Sequence, residues 1–320
     1  MQVEYRFRES GTIIKSLIMK NIILLLLVLS IVSCTDKNEE NDMLEVVTTT
    51  TMITDLVENI GGDLIQVNGL MGSGIDPHLY KASQGDFRKL DNADVIFYNG
   101  LHLEGKLVEI FEKMNEQNKT AIAISNGLYE KTLIGSEYFA SNYDPHIWFD
   151  LEYWNQITNY VTERLSELDP ENKAAFEANR DAYLEKLKAL KTELSIKVEE
   201  LPKEKRILVT AHDAFNYFGR TFDFEVVGLQ GLSTATEAGV KDVQRITQFI
   251  IENDIKAVFI ESSVPRRTVE ALQAAVKDQN HEVNIGGELY SDALGSAGTE
   301  EGTYIGMYKH NVNTIVNALK

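Results

Sequence analysis

The sequence predicts an α/β protein in which two parallel-sheet lobes are joined by one long rigid helix. Two observations predict it. Short β-branched runs alternate with helical stretches over residues 44–168 and again over 203–320, the pattern of parallel strands with helical crossovers. Between these alternations lies an uninterrupted helical zone rich in Ala, Glu, Lys and Leu. Along the first lobe, Glu45-Val46-Val47-Thr48-Thr49-Thr50 reads as a strand, and Met52 to Ile60 as a short helix stopped by Gly61-Gly62. Leu64 to Leu70 is a second strand, followed by a glycine-rich loop through His78. Asp94 to Tyr98 is a third strand, Glu104 to Asn115 a helix and Ala121 to Ile124 a fourth strand. Leu151 to Leu168 is a helix stopped at Asp169-Pro170.

The joining segment, residues 169–202, holds a helix from Glu171 to Leu201 that Pro202 ends. About 30 residues rising 1.5 Å each make a rod of roughly 45 Å, which needs support along one face. In the second lobe Arg206 to Thr210 is a strand, with a helix starting near His212. Phe224 to Val227 is a strand, Val240 to Glu252 a helix, and Ala257 to Ile260 a strand. Val264 to Asp278 is a helix, Glu282 to Ile285 a strand, and Tyr304 to Leu319 the last helix.

The N-terminus has a different character. Met19-Lys20-Asn21 precedes an apolar run from Ile22 to Leu29, continued through Ser30-Ile31-Val32. That run is shorter than the roughly 20 apolar residues a membrane-spanning helix needs, and its basic start suits a signal peptide over 19–33. It breaks at Ser33-Cys34, and Cys34 is the only cysteine in the chain. The pattern resembles a bacterial lipoprotein signal, which implies lipidation of Cys34 and a membrane anchor; Ile31-Val32 departs slightly from the small residues usual there. Residues 34–43 are polar and acidic and read as a tether. Residues 1–18 carry charges a signal does not need and read as an upstream extension, with Met19 the start.

Composition narrows the function classes. Of 320 residues, 43% are hydrophobic and 25% charged, enough for a sizeable core. A net charge of −18 argues against a nucleic-acid partner, which would require a basic patch. With one cysteine there is no disulfide and no thiolate metal site.

Three of the six histidines fall where an open α/β sheet can place ligands. His212 follows a strand at its carboxyl end, and His78 lies in the loop after the second strand. His146 precedes the helix at Leu151, and Asp292 follows the strand at Glu282–Ile285. Each lobe thus contributes two, which puts a site in the cleft between them. Asp76-Pro77-His78 and Asp144-Pro145-His146 are the same tripeptide and use two of only five prolines. Proline stiffens the backbone before each imidazole. Taken singly, each histidine also suits a loop residue bonded to nearby backbone.

The constellation resembles the solute-binding proteins of bacterial zinc and manganese ABC transporters. The resemblance runs through Gly74-Ile75-Asp76-Pro77-His78, Tyr98-Asn99-Gly100-Leu101-His102-Leu103-Glu104 and Asp144-Pro145-His146-Ile147-Trp148. It continues through Ala211-His212-Asp213-Ala214-Phe215, Tyr217-Phe218, Gly228-Leu229-Gln230-Gly231-Leu232-Ser233 and Phe259-Ile260-Glu261-Ser262-Ser263. Tyr290-Ser291-Asp292 and Gly302-Thr303-Tyr304 complete it. It implies His78, His146, His212 and Asp292 as metal ligands, two four-stranded lobes bridged by a rigid helix, and small movement on binding. It also implies a monomer that takes one ion per chain and delivers it to an ABC permease.

Three imidazoles and a carboxylate fill a tetrahedral shell with no open position for an activated water. Imidazoles favour zinc. A carboxylate binding through both oxygens would also suit manganese, and the resemblance leans the same way, since zinc-dedicated members often carry a histidine-rich loop between the first two ligands and Asn126–Asn142 holds no histidine. Zinc is the expected ion and manganese the alternative. Glu261 is a candidate to orient an imidazole, with a packing role equally open. His102 reads as structural, and His281 and His310 as surface residues. Arg266, Arg267 and Glu270 read as a solvated helix face, and Tyr138 and Phe139 as a surface loop that could cover the cleft. Two other readings stay open: a metal-stabilised surface adhesin, and an exported metallohydrolase with Glu261 as its only candidate base.

Overall fold

In the computed structural model the described residues are 43–137 and 139–320. The signal segment, Cys34, most of the tether and Tyr138 lie outside them. The first half is built on one sheet of four parallel strands, β1 (Leu44–Thr48), β2 (Ile65–Gly69), β3 (Val95–Tyr98) and β4 (Thr120–Ala123), in the order β2-β1-β3-β4. Helix α1 (Thr51–Gly61) links β1 to β2. It ends where Gly62 takes φ +54° and its N–H bonds Glu58 O, a left-handed stop that any side chain would resist. Helix α2 (Gln84–Asn92) is not among the elements the sequence predicts. Its signal is local rather than periodic: Ser83 Oγ accepts from Asp86 N and Asp86 Oδ2 from Ser83 N, a reciprocal cap, while its only buried apolar residue is Leu90. The helix expected from Glu104 begins instead as a 3₁₀ turn, Gly105–Leu107, that runs into α3 (Val108–Glu116).

Helix α4 (Leu151–Leu168) has the expected bounds. Asp150 caps it, accepting from Glu152 N and Tyr153 N at 2.8 and 3.1 Å. Helix α5 (Lys173–Glu199) is the long rod, 27 residues or about 40 Å. Its support is a stripe of Phe176, Tyr183, Leu187, Leu190, Leu194 and Val198 at helical spacing, all buried.

The second half holds β5 (Ile207–His212) paired in parallel with β6 (Glu225–Gln230), and β7 (Ala257–Glu261) paired in parallel with β8 (Asn284–Leu289). Helix α6 (Asn216–Phe222) follows β5, α7 (Val240–Glu252) follows β6, α8 (Arg267–Asp278) follows β7, and α9 (Tyr304–Leu319) closes the chain. β5 lies beside β7, but the four strands form two hydrogen-bonded pairs rather than one ladder. At the carboxyl end the link between the pairs is made by a side chain: His212 N donates to Glu261 Oε1 at 2.9 Å. The helix expected near His212 therefore starts later, because His212 still belongs to β5 opposite Gln230. β8 runs four residues beyond the expected Ile285, through Gly286-Gly287, where Gly287 has φ +145° and the register with β7 shifts.

One apolar core runs through both halves, from Val46 through α4 and α5 to Leu319. At its centre Trp154 stacks on Tyr304 (4.7 Å between centroids) and Phe149 on Phe215 (4.5 Å). The hydroxyls of Tyr304 and Tyr308 donate to the carbonyls of Trp148 and Phe149 at 2.6 and 2.5 Å. These carbonyls lie just after His146, so the shared core fixes one edge of the cleft.

Candidate metal centre

His78, His146, His212 and Asp292 converge at the cleft. One donor atom from each lies within 4.8 Å of the others, and all four residues are buried. His78 Nε2, His146 Nε2, His212 Nε2 and Asp292 Oδ1 are buried without a hydrogen-bond partner. Four unpartnered polar atoms facing one point would be costly unless something binds them. His146 Nε2 and His212 Nε2 stand 3.6 and 3.4 Å from Asp292 Oδ1, and the three ring centroids are 5.2–5.8 Å apart. That space fits one ion held by imidazole nitrogens and a carboxylate oxygen.

Each of the segments that meet there is locally braced. Both Asp-Pro-His aspartates accept their own histidine's backbone N–H, Asp76 from His78 and Asp144 from His146, each at 2.9 Å. Their second oxygens reach into the second half: Asp76 Oδ2 accepts from Thr234 Oγ1 at 2.5 Å, and Asp144 Oδ2 from Asn216 Nδ2 at 3.0 Å. The motifs differ in one respect. Asp144 Oδ1 also lies 2.7 Å from His146 Nδ1, which makes Nδ1 the protonated nitrogen and leaves Nε2 as a lone pair. Asp76 makes no such bond to the His78 ring.

Glu261 orients His212 at two points. Oε1 takes its backbone N–H and Oε2 lies 2.6 Å from Nδ1. Asp292 is held by Ser263 Oγ, which donates to Oδ2 at 2.8 Å, and the adjacent Ser291 O accepts from Trp148 Nε1 at 2.9 Å. Burial pushes the His78 imidazolium down to about 3. Burial works the same way on His212, but the Glu261 and Asp292 carboxylates outweigh it and raise that group well above the ordinary histidine range. For Asp292 burial acts upward, and His212 beside it prevails and holds the carboxyl below its usual value.

Several further supports carry no role that the sequence alone reveals. Buried Glu104 accepts from Thr49 Oγ1 (2.8 Å), Asn99 N (2.6 Å) and Gly100 N (3.3 Å). Asn99 Nδ2 in turn donates to Pro145 O at 2.9 Å, beside His146. Gly100 takes φ +82°, and a Cβ there would meet Ser125 Oγ at 2.3 Å. Thr234 and Asn216 carry no sequence signal and Ser263 enters only as part of a motif, because single polar residues in loops and at helix starts leave no periodic trace. Of the remaining histidines, exposed His102 packs edge-on to Phe139, His281 is near Asp254, and His310 packs against Tyr290. Arg266 and Arg267 form exposed ion pairs with Glu270 and Glu237. Phe139 lines a cavity of about 670 Å³ beside β6, with Asp213 and Gln230 in its wall.

The profile of a family described as the zinc-uptake complex component A, periplasmic, matches residues 46–318. The chain belongs to that family. Within it, the sequence is 48% identical over 274 residues to the zinc-binding protein TroA of Treponema pallidum, covering 86% of this chain and 88% of that protein. It is 45% identical over 280 residues to the manganese-binding lipoprotein MntA of Bacillus subtilis, covering 88% of this chain and 91% of that protein. The solved structure of the Treponema pallidum periplasmic zinc-binding protein superposes with a TM-score of 0.83, covering 86% of this chain and 98% of that one. The resemblance read from the ordered motifs and the two-halved α/β fold are thus both met.

Proposed function

We propose that this protein captures one divalent transition-metal ion per chain, zinc, and delivers it to the membrane permease of an ABC transporter. His78, His146 and His212 would bind through Nε2 and Asp292 through Oδ1, with the chain acting as a monomer tethered by a lipid on Cys34. The observation that carries this reading is the set of four buried, unpartnered donor atoms around one point. Family relatives named for zinc and for manganese are similarly close, so the choice of ion rests on the donors. Three imidazoles and one free carboxylate oxygen make a four-donor shell, the set zinc prefers.

The same geometry argues for binding over catalysis. Four protein donors fill the shell, and both oxygens of Glu261 are engaged by His212 rather than free to take a proton from water. Calorimetric titration of metal-stripped protein with zinc tests the proposal. It should give one site per chain, tighter than for manganese, and the site should be lost in His212→Ala. An unchanged titration in that variant would defeat the assignment.

A further inference from the structure

The segment that carries His146 in the first half is gripped from the second half. It leads in through two antiparallel passes, 134–136 and 142–144, in which Ser136 N donates to Asn142 O at 2.8 Å and Asp144 N to Ile134 O at 2.9 Å. The return bond of the Ile134–Asp144 pair is not direct. The buried Tyr217 hydroxyl, from α6, stands in the gap: it accepts from Ile134 N at 3.1 Å and donates to Asp144 O at 3.0 Å. Its proton and one lone pair are both used, so the hydroxyl serves as a rung of the ladder. Two neighbours on α6 reach the same region. Asn216 Nδ2 donates to Asp144 Oδ2 at 3.0 Å, a charge-assisted bond. Arg220 donates to Thr132 O and Asp150 Oδ2 at 2.8 and 2.7 Å, and its guanidinium lies 4.8 Å from the centre of the Tyr217 ring.

We propose that Tyr217, with Asn216 beside it, is a positioning residue for the metal centre: acting through Asp144, it holds the His146 imidazole on the ion and so sets how slowly the ion leaves. Asp144 Oδ1 serves the His146 backbone N–H and Nδ1 together, so a shift of Asp144 carries the ring with it. Without the hydroxyl, Ile134 N–H and Asp144 C=O lose their partner in a buried place, and the two passes must move or admit water to satisfy them. β5 ends at His212, and α6 begins four residues later at Asn216. The same short helix thus follows one proposed ligand and braces another, tying an imidazole of each half to the other. The inference rests on the metal-binding reading above and concerns what retains the ion at that same site.

The test measures zinc association and chelator-driven zinc dissociation by stopped flow, with melting curves as a folding control. It compares wild type with Tyr217→Phe, Asn216→Ala, Asp144→Ala and the double variant Asp144→Ala/Tyr217→Phe. Tyr183→Phe is the matched control, because it removes another buried tyrosine hydroxyl, on α5, that bonds Trp154 Nε1 at 3.2 Å instead of the His146 segment. Tyr217→Phe should speed zinc dissociation by about tenfold with little change in association, and Asn216→Ala should act in the same direction. Tyr183→Phe should lower the melting temperature and leave dissociation at the wild-type rate. In Asp144→Ala the added Tyr217→Phe should do less than it does alone, since the carboxylate it positions is gone. Dissociation from Tyr217→Phe no faster than from Tyr183→Phe, or an undiminished effect in Asp144→Ala, overturns the inference and leaves the metal site standing. If Tyr217→Phe does not fold, Asn216→Ala carries the test, and dissociation from it at the wild-type rate overturns the inference. Wild type that binds no zinc overturns both.

Discussion

The imidazoles of the cage are not equally constrained. His146 and His212 each have a carboxylate against Nδ1, from Asp144 and Glu261, while His78 is held only through its backbone N–H. Such partners fix the tautomer and make the metal-facing nitrogen more basic, and losing one costs about 10–100-fold in metal affinity. Glu261→Gln should therefore weaken zinc binding by about that factor in chelator competition, without abolishing it. Glu104 gives a second test at this scale, through pH. Burial lifts its carboxyl to about 6 from an ordinary 4.5, so the folded state holds this proton more tightly than the unfolded chain does. The resulting stabilisation is fully present below pH 4.5 and lost as pH rises through 6. Relative to Glu104→Gln, wild type should lose about 2 kcal/mol of unfolding free energy over the whole transition, from well below pH 4.5 to well above pH 6, measured by denaturant titration of metal-free protein at several pH values. A difference between the two proteins that does not vary with pH would contradict it.

Among the elements, α5 is the one on which the geometry most depends, because its buried stripe packs against α1, α4 and α9 from both halves. Leu187 is 1% exposed on that stripe, and Leu187→Ala should cost about 2–5 kcal/mol of stability while leaving one zinc site per chain. The denaturation midpoint reads the first and metal content the second. This scale also shows what the sequence makes legible. α4, α7 and α9 have the expected bounds because capping residues and apolar periodicity agree there. α2 escapes the pattern because a reciprocal cap on a mostly polar turn has almost no apolar face, and β8 outruns the expected Ile285 because Gly286-Gly287 breaks the β-branched run. The expected strand stops at Thr210, two residues before β5 ends, because the pairing of His212 with Gln230 depends on β6 and leaves no local pattern.

For the whole molecule, the two halves are joined by more than the rod. Asp76–Thr234, Asp144–Asn216, Trp148–Ser291 and Arg220–Asp150 cross between them, and the aromatic core is continuous. The four proposed ligands stand on the same segments as three of these bridges, so the cage is held in shape by the fold that surrounds it. None of those crossings could be read from local pattern. The repeated Asp-Pro-His pointed to a pair, but only the family likeness joined all four residues, and only the geometry shows what their aspartates do. The central claim is that one ion sits among these four donors. Anomalous diffraction at the zinc edge, from crystals of protein loaded with one equivalent of zinc, tests it most directly. The predicted result is a single peak bonded to His78 Nε2, His146 Nε2, His212 Nε2 and Asp292 Oδ1, with nitrogen distances of about 2.0–2.1 Å. A peak elsewhere on the chain, or one at this site that lacks any of the four, would contradict it.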